Sequence, residues 1–270
     1  MAVMIKSKTI LNITFLYTLI NIINIEFFNT MTTSLISFLK KQSFQPGFFS
    51  VLINPFFLIR RSLFKGIKQN APQLTGRLMD FGCGRKPYEN LFQVNEYIGV
   101  DVKTSGHDHA SSKVDVFYNG KTLPFADNSF DSVFCAEAIE HIFNPDEVLL
   151  EIKRVMKNGG RILLTAPFCW NEHEIPFDYA RYSSFGISHL LEKQGFKIIT
   201  LHKSGNFMRT IFQMTALYFF ELFKKKGKAG YVLSLIFTAP INIIASLLLP
   251  LFPKNNSLYF NNIIVAEKET

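Results

Sequence analysis

The sequence predicts an α/β protein built on a doubly wound, parallel sheet. Three observations predict it. Between residues 77 and 203, short apolar runs alternate with helical patterns. The first run leads into a glycine-rich loop, and acidic residues recur near the ends of the first three runs. The strand candidates are RLMDFGC (77–83), YIGVDV (97–102), KVDVFY (113–118), FDSVFCAEA (130–138), RILLTAP (161–167) and FKIITLHK (196–203). Two helices are marked between them. Asn144-Pro145-Asp146-Glu147 reads as a cap, a first-turn proline and an N3 acid. Val148, Ile152, Val155 and Met156 then form an apolar face, and Asn158-Gly159-Gly160 reads as its stop. Ser184 to Lys193 carries Ile187, Leu190 and Leu191, with Gly195 as its stop.

The flanks differ from this middle. The net charge of +8 divides into +7 over residues 1–70, −3 over 71–205 and +4 over 206–270. Basic and apolar character coincide at the two ends, which suits an anionic membrane surface better than a nucleic-acid groove. We therefore expect no nucleic-acid partner. Three cysteines at wide spacing, Cys83, Cys135 and Cys169, make neither a disulfide framework nor a zinc pattern. Residues 9–25 are charge-free but short for a membrane span. Met31 offers a second possible start, with residues 1–30 then not translated. Residues 55–69 predict a helix starting at Pro55, with Phe56, Ile59, Leu63 and Ile67 on one face and Arg60, Arg61, Lys65 and Lys68 on the other. That helix either packs on the domain or lies on a membrane.

The chemistry gathers at the strand ends. In Asp80-Phe81-Gly82-Cys83-Gly84 the glycines allow a sharp turn and close backbone approach. Arg85-Lys86-Pro87 stand where a dinucleotide loop carries a third glycine. Asp101 ends the second run 21 residues after Asp80, placed for ribose hydroxyls, and Asp115 lies on the third. Acids in these places suit a cationic, phosphate-free nucleoside such as S-adenosylmethionine.

On these residues the chain resembles the class I S-adenosylmethionine-dependent methyltransferases, in particular small bacterial ones found with surface-polysaccharide enzymes. The stretches that carry the resemblance are LMDFGCGRKPYENLF, YIGVDV, LPFADNSFDSVFCAEAIEHIFNPDEVLLEIKRVMKNGGRILLTAP and PFDYARYSSFGISHLLEKQGF, within residues 77–203. The resemblance implies a Rossmann-like sheet of seven strands whose last strand is antiparallel. It implies that Asp80, Gly82 and Gly84 hold the methionine end, Asp101 the ribose and Asp115 the adenine amino group. Leu123 and Phe125 would lie near the adenine, and Ala136 and Glu137 would line the methyl-donor pocket.

For the acceptor side, His141 and His173 follow strands four and five. Either could take a hydroxyl proton near pH 7. Asp178, Tyr179 and Arg181 could bind a sugar or shape the loop. His107 and His109 flank Asp108, but without further ligands nearby they read as an exposed loop, so no metal is expected. SLYFNNIIVAEK (257–268) reads as the last strand, beside strand six. Before it lies an apolar insertion in two pieces, 210–220 and 229–253, separated by Lys224, Lys225, Lys226 and Lys228. Pro240 should interrupt the second piece, and the last strand must return to the sheet. A helical hairpin dipping into one leaflet satisfies both. The organisation is then an apolar and basic helical segment at 1–70, a core at 71–205, an insertion at 206–255 and a returning strand at 256–270. The expected function is methyl transfer from S-adenosylmethionine at the cytoplasmic membrane face. The acceptor would be a small molecule or a lipid-linked glycan, plausibly a sugar hydroxyl. A nucleotide-sugar oxidoreductase and a non-catalytic membrane scaffold are the alternatives, and the oligomeric state stays open.

Overall fold

The computed structural model describes residues 37–103 and 112–269. The readings of residues 9–25, of Met31 and of His107, Asp108 and His109 lie outside the described residues. Two units are distinguished, 1–42 and 43–270; in the first, residues 37–42 are helical. The second carries every strand among the described residues.

A seven-stranded sheet organises this second unit: β1 (Arg77–Phe81), β2 (Glu96–Val102), β3 (Val116–Tyr118), β4 (Phe130–Ala136), β5 (Met156–Pro167), β6 (Phe196–Lys203) and β7 (Asn261–Lys268). The order is β3-β2-β1-β4-β5-β7-β6. Strands β1 to β5 pair in parallel, and β7 runs antiparallel to both β5 and β6. The last strand is therefore inserted between its neighbours rather than laid on an edge. Its residues Asn261 to Ala266 are all buried.

Alternation along the strands splits the core into two layers. Leu78, Phe134, Leu163 and Val265 face helix α1 (Phe57–Asn70), where Leu63 and Ile67 meet them. Met79, Val133, Ile162 and Ile264 face the other way, towards Leu149 and Ile152 of α2 (Pro145–Val155) and Ile187 and Leu191 of α3 (Ser184–Lys193). Helix α1 thus spends its apolar face on the sheet, and the membrane-lying reading of residues 55–69 is overturned. Pro55 lies in the turn before the helix, not in it. Its first turn lacks a capping side chain of its own. Instead, Oε1 of buried Gln213 accepts the N–H groups of Leu58 and Ile59, each at 3.1 Å, and its amide donates to Pro55 O at 3.0 Å. That side chain satisfies first-turn N–H groups which have no partner within a helix.

Two local expectations change. Asn144 makes no side-chain cap to α2. That helix ends at Val155, because buried Met156 already pairs with Phe130 as the start of β5. Asn158-Gly159-Gly160 is then an irregularity inside an extended strand, with Gly159 at φ +72°. Ser183 caps α3, its Oγ accepting the Gly186 N–H at 3.1 Å.

Between β6 and β7 the chain forms a helical hairpin, its first helix longer than the expected piece 210–220. Helix α4 (Phe207–Lys224) has 18 residues and α5 (Gly227–Leu248) has 22. Pro240 sits inside α5 without ending it, its i−4 carbonyl belonging to exposed Ile236. Phe237 stacks on Phe219 at 4.8 Å and on Phe223 at 5.5 Å between ring centroids. A Cβ at Gly230 would lie 1.9 Å from Phe223 O, so only glycine permits that approach. The hairpin is stitched to residues 51–54. Asn242 donates to Val51 O and Asn54 O, and Tyr231 donates to Ile53 O. The buried seam of α5 is Gly230, Ser234, Thr238, Asn242 and Ala245, small or polar throughout. Val232, Ile236 and Leu247 point outwards at 64%, 63% and 69% exposure. By length and composition, residues 227–251 could cross a membrane, and this is the one such helix among the described residues.

The Gln213 contact yields a stability test. Gln213→Leu keeps the volume but strands two N–H groups and one carbonyl in the interior. It should cost about 2–4 kcal/mol in urea unfolding; a loss below about 0.5 kcal/mol would mean that the carboxamide does not hold α1.

Candidate active site

The ligand edge of a parallel sheet is its carboxyl end. There Asp80, next to last in β1, is buried and accepts a hydrogen bond from Tyr97 Oη at 2.7 Å. Burial pushes its carboxyl up to about 7, against the opposing pulls of Tyr97 and Lys86. Gly82 has φ +72°, and a Cβ there would sit 2.5 Å from the Ala138 Cβ. The loop after β1 therefore touches the loop after β4, and glycine is the residue that allows it. The Gly84 N–H donates to Asp101 Oδ2 at 3.0 Å, and the Val102 N–H to Asp101 Oδ1 at 2.8 Å. These bonds hold the Asp101 carboxylate at the end of β2.

Two cavities of about 300 Å³ each meet over this edge. Asp80, Gly82, Gly84, Ala136 and Glu137 line the first. Gly82, Asp101, Tyr118, Glu137 and His141 line the second. Gly82, Glu137 and Glu174 belong to both, so the two form one cleft across the strand ends. Of the residues expected around a cofactor, Asp80, Gly82, Gly84, Asp101, Ala136 and Glu137 thus line the cleft. Asp115 lies beside it. It precedes β3, level with Gly99, whose N–H it accepts at 2.6 Å, and it is paired with Lys86. Partial burial raises its carboxyl, but Lys86 and the Gly99 N–H outweigh that and hold it below the usual range. It lines neither cavity, and the β3 residue that does is Tyr118. Leu123 and Phe125 also stay outside. Leu123 is buried in the core, and Phe125 packs edge-on against Phe130 at 4.9 Å. Arg154 bonds both of their carbonyls and ties that loop to α2.

The side of the cleft expected to take an acceptor is built from the loops after β4 and β5. Glu137 has φ +52°, rare for a residue with a side chain. Its carboxylate accepts from Thr165 Oγ1 at 2.8 Å and from Asn261 Nδ2 at 2.6 Å. A single helical turn, Ile139–His141, follows. Glu140 is 0% exposed, and neither carboxylate oxygen has a hydrogen-bond partner among the described residues. Burial and the Glu137 charge push Glu140 well above the usual carboxylate range. His141 Nδ1 donates to Phe177 O at 2.7 Å, leaving its buried Nε2 without a hydrogen bond among the described residues. The His173 ring meets it edge-to-face at 4.8 Å. Burial, and then His141, lower the His173 imidazole below its ordinary value, so it is neutral at pH 7.

The loop that carries His173 is latched. Asp178 Oδ2 accepts the His173 N–H at 2.8 Å, while Arg181 bonds Asp178 and the carbonyls of Trp170 and Asn171. Asp178 and Arg181 thus shape the loop. The structure brings together His141 and His173, which lie 32 positions apart in the chain. It also adds residues that carry no signal in the sequence. Tyr97 reads there as one residue of an apolar run. Arg60 reads as part of the solvated face of its helix, yet it lines the first cavity. It also lines a third cavity of about 390 Å³ with Phe56, Trp170, His173, Leu217 and Phe220. That third cavity leads from the cleft to α4.

Residues 79–164 match the family model described as a methyltransferase domain. An uncharacterized protein of Methanocaldococcus jannaschii is 31% identical over 110 residues, covering 40% of this chain and 51% of its own length. A ubiquinone/menaquinone biosynthesis C-methyltransferase of Pseudoalteromonas translucida is 38% identical over 69 residues, covering 26% of this chain and 27% of its own. The chain thus spans about half, or less, of the length of these relatives. Among solved structures, the [4+2]-cyclase SpnF superposes with a TM-score of 0.50 at 19% identity, over 77% of this chain and 82% of its own. At that identity the likeness speaks for the fold alone. The domain match favours a methyl donor over the nicotinamide of the oxidoreductase alternative. With its glycine loop and its strand-end acids, the matched segment, residues 79–164, is a methyltransferase domain of the kind that uses S-adenosylmethionine as its cofactor.

Proposed function

We propose that this protein transfers the methyl group of S-adenosylmethionine to a hydroxyl of an amphiphilic acceptor at the inner face of the cell membrane. The observation that carries the proposal is the continuity of the cavities. The cofactor cleft shares Arg60, Trp170, His173 and Glu174 with the third cavity, which runs to Leu217 and Phe220 of α4. A polar head could reach the cleft while its apolar tail stays at the hairpin. In this reading Asp101 takes the ribose. Asp80, Gly82 and Gly84 hold the methionine end, and Ala136 and Glu137 border the methyl donor. His173 and His141 act on the acceptor hydroxyl. Asp115, Leu123 and Phe125 support the adenine side from behind the cavity wall. Much of the rate comes from holding donor and acceptor in line.

The polarity of the hairpin favours the membrane. A helix with its small and polar seam turned inwards and Val232, Ile236 and Leu247 turned outwards suits a lipid interface. Lys224, Lys225, Lys226 and Lys228 at the turn would meet anionic headgroups. A lipid-linked glycan combines such a tail with sugar hydroxyls. The direct test incubates the protein with S-adenosylmethionine and a lipid and glycan extract. It then looks by mass spectrometry for a product heavier by one methylene; an extract unchanged by active, cofactor-binding protein would reject the acceptor class.

Asp101→Ala should weaken S-adenosylmethionine binding by about 1–3 kcal/mol in calorimetry, because it removes a buried, oriented carboxylate; an unchanged affinity would remove Asp101 from the site. Asp80 titrates near 7 in the free protein. Its ionised form attracts the cofactor's ammonium group, so affinity should rise with pH between about 6 and 7.5, while that ammonium stays protonated. Asp80→Asn should flatten the rise, and a slope that survives the substitution would place the titration elsewhere. For the membrane, Ile236→Lys with Leu247→Lys should abolish flotation with anionic phospholipid vesicles and leave cofactor affinity intact. The comparison should be made in a chain without residues 1–30, whose apolar run could bind by itself. Equal flotation of both forms would show that the hairpin is not the contact.

A further inference from the structure

We propose that Glu140, His141 and His173 bind a divalent transition-metal ion, and that this ion holds the acceptor oxygen. The first half stands on the structure; the second rests on the methyl-transfer reading above. One ligand atom from each residue can be chosen so that all three lie within 4.8 Å of one another. His141 Nε2 is 3.8 Å from Glu140 Oε1 and 3.5 Å from Glu174 Oε1. These spacings are too long for direct hydrogen bonds. Donors about 2.0–2.2 Å from a common ion lie roughly 3–3.6 Å apart, so small side-chain adjustments would close the set around one.

The second observation is Glu140 itself. A fully buried carboxyl with no hydrogen-bond partner on either oxygen among the described residues is costly to ionise unless a positive charge compensates it. A cation between Glu140 and the two imidazoles would do so. Both rings are prepared to ligate. His141 commits Nδ1–H to Phe177 O, so the lone pair falls on Nε2. His173 Nδ1 has the oxygens of Asn171 and Asp178 each at 3.3 Å, which places its proton there as well. Arg181 Nη2, 3.4 Å from the same nitrogen, spends its two protons on Asn171 O and Asp178 Oδ2 at 2.7 Å each. Outer hydrogen bonds of this kind orient metal-bound histidines. Two imidazoles and one carboxylate favour zinc, cobalt or manganese over magnesium or calcium. Three protein ligands leave positions open, as catalytic sites require. His141 borders the cofactor cleft, while His173 borders both the cleft and the third cavity. An ion here would meet an incoming hydroxyl beside the methyl donor and lower its pKa, so that His141 and His173 act on the hydroxyl through the ion; the released proton would pass to Glu174, which borders the same cleft, and the oxygen would take the methyl group as S-adenosylhomocysteine leaves.

The test uses the full chain, stripped with a chelator and then titrated with Zn²⁺ by calorimetry and with Co²⁺ by visible absorption. Trp170, the single tryptophan, lies three residues from His173 and gives an independent fluorescence reading. One ion per chain should bind. Glu140→Gln and His173→Gln should each weaken it at least about 30-fold, with circular dichroism confirming that both variants fold. Excess Mg²⁺ should not compete. Absence of binding to the wild-type chain, binding undiminished in both folded variants, or equal competition by Mg²⁺ would overturn the site. These titrations need neither methyl donor nor acceptor, so they can succeed even if methyl transfer fails. Conversely, turnover that survives complete removal of bound metal would reject the ion's role on the acceptor and leave the methyl-transfer reading standing.

Discussion

A half-buried carboxyl at the edge of the cleft constrains much of this structure. Glu137 leaves β4 in a left-handed conformation, and its side chain is held by Thr165 of β5 and Asn261 of β7. Such a group needs partners wherever it is buried, and one of these partners arrives late in the chain. Asn261 is itself fixed by Ser204, which follows β6. The long excursion through the hairpin therefore has to end in register, with β7 between β5 and β6. The same bend at Glu137 starts the helical turn that presents Glu140 and His141. Sheet closure and site assembly thus share one hydrogen-bonded cluster.

The hairpin follows from that return. A strand inserted between two others leaves its preceding segment on the sheet's rim, where α4 and α5 pack against residues 51–59. Polar side chains share that contact with an apolar cluster: Gln213, Asn242 and Tyr231 bond backbone groups at and before the start of α1, while Phe57, Leu58 and Ile59 pack with Phe212, Ala245 and Leu249. Helix α5 thus buries small and polar residues on its inner side and turns aliphatic side chains outwards. In water that arrangement spends little of the apolar surface of α5 on stability. It leaves that surface exposed, and the cavity beside α4 is also lined by His173.

Helix α1 shows how tertiary contact decides between equivalent readings. Its sequence is a basic, amphipathic pattern that could serve either a membrane or a domain. Leu78, Phe134 and Val265 supply the apolar surface that claims its buried face. Arg60, nominally on the charged side, then reaches over the strand ends and lines the cleft. A residue's role here depends on where the helix docks, not on its place in the helical pattern.

The amino-acid sequence by itself determined the strand and helix order, the glycine turn at Gly82, the acids Asp80 and Asp101, and the hairpin before the last strand. Each depends on residues close in the chain: apolar periodicity, a glycine's freedom at positive φ, a charge placed at a strand end. Tertiary structure decided what distant residues do to one another. It set β7 inside the sheet, drew Asp115 to Lys86 and away from the cleft, sank Leu123 into the core, and let α5 run through Pro240. It also placed His173 against His141 and left Glu140 buried beside them. Burial and pairing belong to neighbours in space, and the spacing of residues along the chain does not specify those neighbours.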